Sequence, residues 1–184
     1  ICNASHCSLR EAINEANSAP GVNTIQFNIG GSAPHSIIAL TPLPVITDAV
    51  ILDGTTNPDF VNQPVIALFG SAPSSGLEIT GGNSVVRGLV ISSFLHYGII
   101  LRNNGGNTIE GNFIGINVDG IGDSGNVKSG ILIENSPNNR IGGLSPGARN
   151  VISGNNENGI TIISAGSTSN VVQCILRLYS KKSL

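Results

Sequence analysis

Two glutamates have the residue type and the spacing of a glycosidase pair. Glu78 and Glu134 both belong to short apolar strands that open with Gly, and we assign them to equivalent outward positions, with Ile100 in the strand between them. Two strand spacings of about 4.8 Å put the carboxyl groups about 9–10 Å apart. Inverting glycoside hydrolases hold theirs about 6.5–9.5 Å apart, so this pair lies at the edge of that range. The alternative is two ordinary solvated side chains on a sheet face.

Other charged residues are weaker candidates. Arg87, Arg102 and Arg140 are assigned to outward strand positions, where they either bind acidic sugars or keep the surface soluble. His96 lies at a bend with no acid nearby in sequence to orient it as a base. Residues 117–123 (NVDGIGD) loosely resemble a Ca²⁺ loop but lack the carboxylates that complete one. We predict no metal site and no cofactor, and the catalytic and ligand-binding residues are unknown at this stage.

The chain also has three cysteines, whose thiols are the remaining candidates for chemistry. Cys2 and Cys7 lie five residues apart, and with His6 they fall short of a tetrahedral metal set. In a secreted protein they form a small disulfide that pins the N-terminus; the alternative is two unpaired thiols. Cys174 is left over, and if exposed it is a reactive thiol.

The composition narrows the fold class. The chain has 184 residues, of which only 11% are charged, with a net charge of −2 and 24 Gly. It is rich in Ile, Val, Gly, Asn and Ser, which are strand and turn residues. The sequence has no run of about 20 apolar residues, which a membrane-spanning helix would need. It also has no basic patch of the kind that binds nucleic acid. We therefore expect neither membrane insertion nor a nucleic-acid partner.

A repeat runs through the chain from about residue 76. Each unit opens with Gly and an alternating apolar triplet, and two further short strands follow. The units start at Gly76, Gly98, Gly130 and Gly159, at spacings of 22, 32 and 29 residues. Loops 117–129 and 143–149 account for the longer units. Three short strands in about 22 residues predict an all-β parallel β-helix, a solenoid whose strands pair with their equivalents in the next coil.

Asparagines recur at one position of this repeat. They are Asn83, Asn107, Asn139 and Asn170. We interpret them as an internal ladder whose side-chain amides bond along the axis, with ordinary turn asparagines as the alternative.

The N-terminal segment has a different pattern. Ser8 and Glu11 have the spacing of a capping box, and the apolar residues that follow have helical periodicity. We predict a short amphipathic helix over residues 8–17. Laid over the first coil, this helix would cover strand edges that otherwise invite aggregation.

The repeat divides the chain into three parts. Residues 1–22 form the N-terminal segment with its capping helix, and residues 23–173 form the parallel β-helix, which is less regular before residue 76. Residues 174–184 depart from the repeat and hold three of the nine basic residues. We interpret them as an atypical tail; the alternative is a natural C-terminal cap strand.

The sequence CSLREAI at residues 7–13, followed by Asn- and Gly-rich coils, resembles the CSLREA-type bacterial proteins. Further similar segments are PVITD at 44–48, LDGTT at 52–56, NTIEGNFIG at 107–115 and GARNVISGN at 147–155. The resemblance covers about residues 2–173. It implies a right-handed parallel β-helix of the pectin-lyase-like type, a secreted or cell-surface location and a Cys2–Cys7 disulfide, and it implies little about activity.

The expected role is that of a structural or adhesive extracellular rod. Loops 117–129 and 143–149 are the best contact candidates, because insertions in solenoids often map to one binding face. Polysaccharides or cell-surface glycans, and the remaining coils of a larger parent protein, are the expected partners. The chain starts at Ile1 and has no Met, which indicates a removed leader or a fragment. The alternatives are a polysaccharide lyase or glycosidase whose site lies partly in missing coils, and a passive spacer.

Overall fold

The chain folds into mostly β structure with one α-helix. The structure is a computed structural model, and it describes residues 7–176. The helix, α1, spans Leu9–Ser18. The strands are β1 Asn23–Gln26, β2 His35–Ala39, β3 Val50–Asp53, β4 Ile66–Gly70, β5 Leu77–Ile79, β6 Val85–Arg87, β7 Leu89–Ser92, β8 Ile99–Arg102, β9 Thr108–Glu110, β10 Phe113–Ile114, β11 Ile131–Glu134, β12 Arg140–Ile141, β13 Asn150–Ile152, β14 Ile160–Ile163, β15 Val171–Val172 and β16 Ile175–Leu176.

These strands form three sheets. The first has the order β1-β3-β6-β9-β12-β15, the second β2-β4-β7-β10-β13-β16 and the third β5-β8-β11-β14. Every pairing between these strands is parallel. The chain therefore visits the three sheets in rotation, and each strand pairs with one from the next rotation. We call one rotation a circuit; the arrangement is consistent with a parallel β-helix or solenoid.

The register of the third sheet confirms the repeat spacing. Leu77, Ile99, Ile131 and Ile160 are consecutive register partners. Their separations equal those between the Gly residues that open the repeat units, because each Gly directly precedes its strand. The extra length of two circuits lies between β10 and β11 and between β12 and β13, where the sequence predicts inserted loops.

Aliphatic columns fill the space between the sheets. In the first sheet, consecutive circuits place four fully buried residues in one column: Leu52, Val86, Ile109 and Ile141. Parallel strands in register stack inward residues on one another, so each circuit contributes a residue of similar shape to the same column.

Helix α1 closes one end of this core, as predicted. Ser8 caps it, since the Glu11 N–H donates to Ser8 Oγ at 3.2 Å and the Glu11 carboxylate accepts from the Ser8 N–H at 2.8 Å. Its buried residues are Leu9, Ile13 and Ala16. Asn17 fastens the helix to the first circuit by donating to Val45 O at 2.7 Å and accepting from the Thr47 N–H at 2.9 Å.

Asparagine side chains stack at the bend between the third and first sheets. Asn107 Nδ2 donates to Asn139 Oδ1, and Asn139 Nδ2 donates to Asn170 Oδ1, both at 2.8 Å. Asn83 does not share this column. Val85 pairs with Thr108, so Ser84 is the residue beside Asn107, and the Ser84 N–H donates to Asn107 Oδ1 at 3.1 Å. Asn83 is exposed, with φ +49°, because it forms the turn that precedes the column.

The other two bends also carry asparagine pairs, which the repeat analysis does not identify. Asn112 donates to Asn150 between the first and second sheets, and Asn126 donates to Asn155 between the second and third sheets. The same amides also donate to carbonyls of the preceding circuit, Val86 O and Ile91 O respectively. Buried amides at every bend therefore link neighbouring circuits.

The termini bear on three further expectations. Cys7 is disulfide-bonded, and its expected partner Cys2 lies outside the described residues. Cys174 is a free, exposed thiol. Residues 175–176, assigned to the atypical tail, form β16 and pair with β13, while residues 177–184 lie outside the described residues. Within residues 7–176, α1 is too short and too polar to cross a bilayer, and no other α-helix is present.

Candidate functional site

The register separates the two glutamates of the expected glycosidase pair. Glu78 pairs with Ile100, but Ile100 pairs onward with Leu132, not with Glu134. Glu134 pairs instead with Arg102. The two carboxylates therefore lie in different outward columns of the third sheet, because Glu134 is two residues further along its strand than the sequence alignment assumed.

Arg102 lies between these glutamates and binds both. Its Nη1 donates to Glu78 Oε1 at 2.5 Å, and its Nε donates to Glu134 Oε2 at 2.8 Å. Burial lowers the pKa of Arg102, but the hydrogen bond to Glu134 and the charges of both glutamates together raise it. A glycosidase pair faces one substrate bond from two sides, whereas these two carboxylates both bind the guanidinium that lies between them. Glu78, Arg102 and Glu134 therefore form a network of two salt bridges that share one guanidinium.

A second charged row crosses the first sheet, and it alternates in sign. Arg87 Nη2 lies 2.6 Å from Asp53 Oδ2, and Arg140 Nη2 lies 2.9 Å from Glu110 Oε2. The charge of Glu110 also acts on Arg87, which joins the two pairs. Asp53, Arg87 and Glu110 are consecutive register partners, so strand pairing places them side by side. Arg140, whose register partner is Thr108, reaches Glu110 from the next strand, and with it the four side chains of the row have no net charge.

Asp53 accepts three hydrogen bonds, from two residues. Its Oδ2 accepts from Arg87, and its Oδ1 accepts from the Thr55 N–H at 3.0 Å and the Thr55 hydroxyl at 2.6 Å. Burial raises the pKa of Asp53, but the hydrogen bonds from Arg87 and Thr55 outweigh it and hold that pKa below its ordinary value. Asp53 therefore anchors Arg87 and does not exchange protons near neutral pH.

A groove of about 380 Å³ lies over this row, at the bend between the first and second sheets. One wall is the turn after β3, with Thr55 and Phe60. The opposite wall comes from the loop 143–149, through Ser145, Gly147 and Ala148. The floor between the walls is lined by Arg87, Gly88, Glu110 and Gly111. The inserted loop that the sequence marks as a contact candidate thus forms one side of the groove.

Glycine makes the floor of the groove possible. Gly88 and Gly111 end their strands with φ +70° and +64°, which side chains other than Gly rarely adopt. A Cβ on Gly88 would also meet Thr55, and a Cβ on Gly111 would meet the Gly147 carbonyl. The backbone of the floor therefore lies close to both walls. The side chains that the floor presents to the groove are Arg87 and Glu110, which precede the two glycines.

Two residues that line the groove, Arg87 and Glu110, keep hydrogen-bonding capacity. Glu110 accepts from Arg140 through Oε2, and its Oε1 has no partner among residues 7–176. Arg87 donates to Asp53 through Nη2, and within the same residues its Nη1 has no acceptor. Arg87 Nε is buried and unpartnered as well. Because Arg87 and Glu110 both line the groove, a sugar hydroxyl there could accept from Arg87 and donate to Glu110.

The calcium-like loop uses its oxygens internally. Asp119 Oδ1 accepts from the backbone N–H groups of Ile121 and Gly122 at 2.8 and 2.9 Å, and these bonds lower the pKa of Asp119. Asp123 Oδ1 accepts from the Gly125 N–H at 3.2 Å. Across the described part of the chain, no three His, Cys, Asp or Glu side chains form a group that could hold a metal ion. His96 lies on an exposed bend.

Sequence reasoning identified Arg87, Arg140 and loop 143–149 separately but did not bring them together. It also missed Asp53 and Glu110. The signal that could have identified them is a recurring triplet of an inward aliphatic residue, a charged residue and a glycine. It occurs as Leu52-Asp53-Gly54, Val86-Arg87-Gly88 and Ile109-Glu110-Gly111.

Comparison with known proteins finds no relative of this chain. No family model, no curated protein and no solved structure matches it.

Proposed function

We propose that this chain is part of a right-handed parallel β-helix that acts as a structural or adhesive extracellular rod and binds a glycan through the groove between Phe60 and loop 143–149. The three parallel sheets, visited in rotation, support the rod. Arg87 and Glu110 are register partners that line the groove, and the free donor on one and the free acceptor on the other are the observation that carries glycan binding.

The chemistry of the groove favours a neutral sugar over a uronate. Its charged row has no net charge, since Arg87 is paired with Asp53 and Glu110 with Arg140. A uronate would therefore place its carboxylate near Glu110 without an unpaired cation to compensate. The Phe60 ring on the wall offers an apolar surface for the C–H face of a hexose.

An extracellular location agrees with the cysteine chemistry. Cys7 is disulfide-bonded, and disulfides persist in oxidising compartments. The resemblance of residues 7–13 to the CSLREA-type proteins supports the same location and the same handedness of the β-helix. A secreted or cell-surface rod whose further coils belong to a larger parent protein accounts for both features.

A polysaccharide lyase or glycosidase is the competing function. The lowered pKa of Asp53 does not suit a general acid, and Glu78 and Glu134 lie in different columns with Arg102 between them, so they do not form a catalytic pair. Glu110 alone keeps a free carboxylate oxygen in the groove, and hydrolysis needs a second carboxyl group opposite it.

A glycan array carrying neutral hexose polymers and polygalacturonate tests the proposal. We expect binding to neutral polymers, and we expect Glu110→Gln to weaken it about tenfold, because a charge-assisted hydrogen bond becomes a neutral one. Glu134→Gln is the matched control, since it alters an Arg-paired glutamate on the third sheet and should bind as the unaltered protein does. Equal binding by both variants, or no binding to any glycan, would refute the groove assignment. Release of shortened or unsaturated sugars would establish the enzyme instead.

A further inference from the structure

One inward position of the second sheet holds a polar residue where an aliphatic one would fit. His35, in β2, is a register partner of Ile66, which in turn pairs with Leu89. Ile66 and Leu89 are fully buried, and the side chain of His35 is only 7% exposed. A buried polar group costs stability unless it is hydrogen-bonded, and an aliphatic residue in its place is often neutral or stabilising. Packing alone therefore does not explain the histidine.

The ring of His35 binds the turn that follows β3. Its Nε2 donates to Oδ2 of Asp59 at 2.8 Å, although the two residues are 24 positions apart in the chain. The side chain of Asp59 is 39% exposed, so this bond joins the buried core to a surface turn. Strand β2 is fixed in the second sheet by its pairing with β4. Asp59 is therefore tied to an element that cannot move independently of the sheet.

Asp59 directly precedes Phe60, the aromatic residue on this wall of the groove. Phe60 packs against the hydrophobic core, and its N–H donates to Asn57 O at 2.9 Å. The Asp59 N–H donates to Asn57 Oδ1 at 3.1 Å. Both of these bonds lie within the turn, whereas the bond to His35 connects Asp59 to a strand outside it. The bond to His35 therefore limits the motion of the residue beside Phe60.

We propose that His35 is a positioning residue of the groove, and that through Asp59 it holds Phe60 where the ring contacts a bound sugar. The inference rests on the proposed glycan binding, and it deepens that proposal by naming a residue that sets the affinity. A wall that is already ordered loses less conformational entropy on binding than a wall that must first be ordered. His35 is buried and does not line the groove, so it acts through Asp59 and not on the sugar.

Two substitutions at His35 separate positioning from packing. His35→Leu removes the donor but gives the column another aliphatic residue, so the urea midpoint of unfolding should equal or exceed that of the unaltered protein. His35→Gln keeps a side-chain N–H donor and should rescue the bond to Asp59. Ser36→Leu makes the same aliphatic replacement at the neighbouring exposed position and is the control. Asp59→Ala removes the acceptor from the partly exposed side of the pair, so the test does not depend on a change in the core.

Hydrogen exchange of the full chain, resolved by residue with NMR, measures the order of the wall without any sugar. The Phe60 amide should exchange about tenfold faster in His35→Leu and in Asp59→Ala, and within about twofold of the unaltered rate in His35→Gln and Ser36→Leu. The Gly120 amide, which donates to Asn117 O at 3.0 Å in a different turn, should not change in any variant. An unchanged Phe60 rate in both His35→Leu and Asp59→Ala, or faster exchange at both amides, would overturn the proposal.

Linear hexasaccharides of glucose, mannose and galactose are the probes for binding, measured by isothermal titration calorimetry. We expect His35→Leu and Asp59→Ala to bind about five- to tenfold more weakly than the unaltered protein, and His35→Gln and Ser36→Leu to match it. Equal affinity in all four variants would overturn the role of His35 in binding. If the unaltered protein binds none of the three, the proposed function fails, and the Phe60 exchange rates decide separately whether His35 positions the wall.

Discussion

Arg87 donates through Nη2 to Asp53 Oδ2 at 2.6 Å, although the two residues are 34 positions apart in the chain. Register alone brings them together, because Asp53 in β3 and Arg87 in β6 are direct partners. Strand pairing already holds the two backbones side by side. Less side-chain entropy is therefore lost on forming this ion pair than on forming most surface ion pairs. The same pair holds the Arg87 side chain where it lines the groove.

Asp53→Asn should lower the free energy of unfolding by about 1–2 kcal/mol. The side chain of Asp53 is buried and accepts from Arg87 and Thr55, but Arg87 is partly exposed, so solvent regains part of the lost interaction. Urea denaturation followed by circular dichroism measures the change. Glu15→Gln, at an exposed position of α1, is the control and should change stability by less than about 0.5 kcal/mol. A similar loss in both variants would mean that the pair contributes nothing specific.

The contribution of Asp53 should also depend on pH. Its pKa in the folded protein lies below the unfolded value of about 3.9, so the folded state favours the ionised form. The resulting stability is fully present above about pH 4 and is lost as the pH falls through the folded pKa. The difference in unfolding free energy between the unaltered protein and Asp53→Asn should therefore be constant from pH 5 to pH 7 and shrink below about pH 4. A difference that grows on acidification would contradict the sign.

Ile109→Asp should unfold the chain or cost more than about 4 kcal/mol. Ile109 is fully buried in the column between Val86 and Ile141, and an ionised carboxylate there would have no partner. Thr108→Asp, one residue away at an outward position, should cost about 1 kcal/mol or less. Thermal melts of both variants test the inward and outward assignment of β9. A soluble, cooperatively melting Ile109→Asp protein would refute it.

Asn139→Ala should destabilise the protein by about 2–3 kcal/mol, because it leaves the buried Asn107 N–H without its acceptor and removes the side-chain amide bonds to Asn107 and Asn170. Hydrogen exchange gives the local readout: the Asn107 amide should lose protection first. Asn156→Ala alters an exposed asparagine whose backbone N–H donates to Asn126 O, a bond that alanine keeps, and it should leave both quantities unchanged. Retained protection at Asn107 would show that the column does not hold the circuits together.

Local sequence patterns carry much of the fold. The triplets after Gly98 and Gly130 predict β8 and β11, and the Ser8–Glu11 spacing predicts the start of α1, because both depend on short-range periodicity and capping. Predictions that need register are less secure. Asn83 and Glu134 were each placed in the wrong column, by one and two residues respectively, because an alignment of short strands joined by loops of unequal length does not fix which residues pair.

The amino-acid order by itself determined that short strands recur with Gly and Asn at their ends, since inward aliphatic residues and bends with unusual backbone angles leave a direct mark on it. Only the tertiary structure decided which charges meet. Asp53, Arg87, Glu110 and Arg140 come from four different circuits, and loop 143–149 closes over them only once those circuits are stacked. Strand pairing between circuits is a long-range interaction, and its partners become visible only when hydrogen bonding across the sheets selects one register.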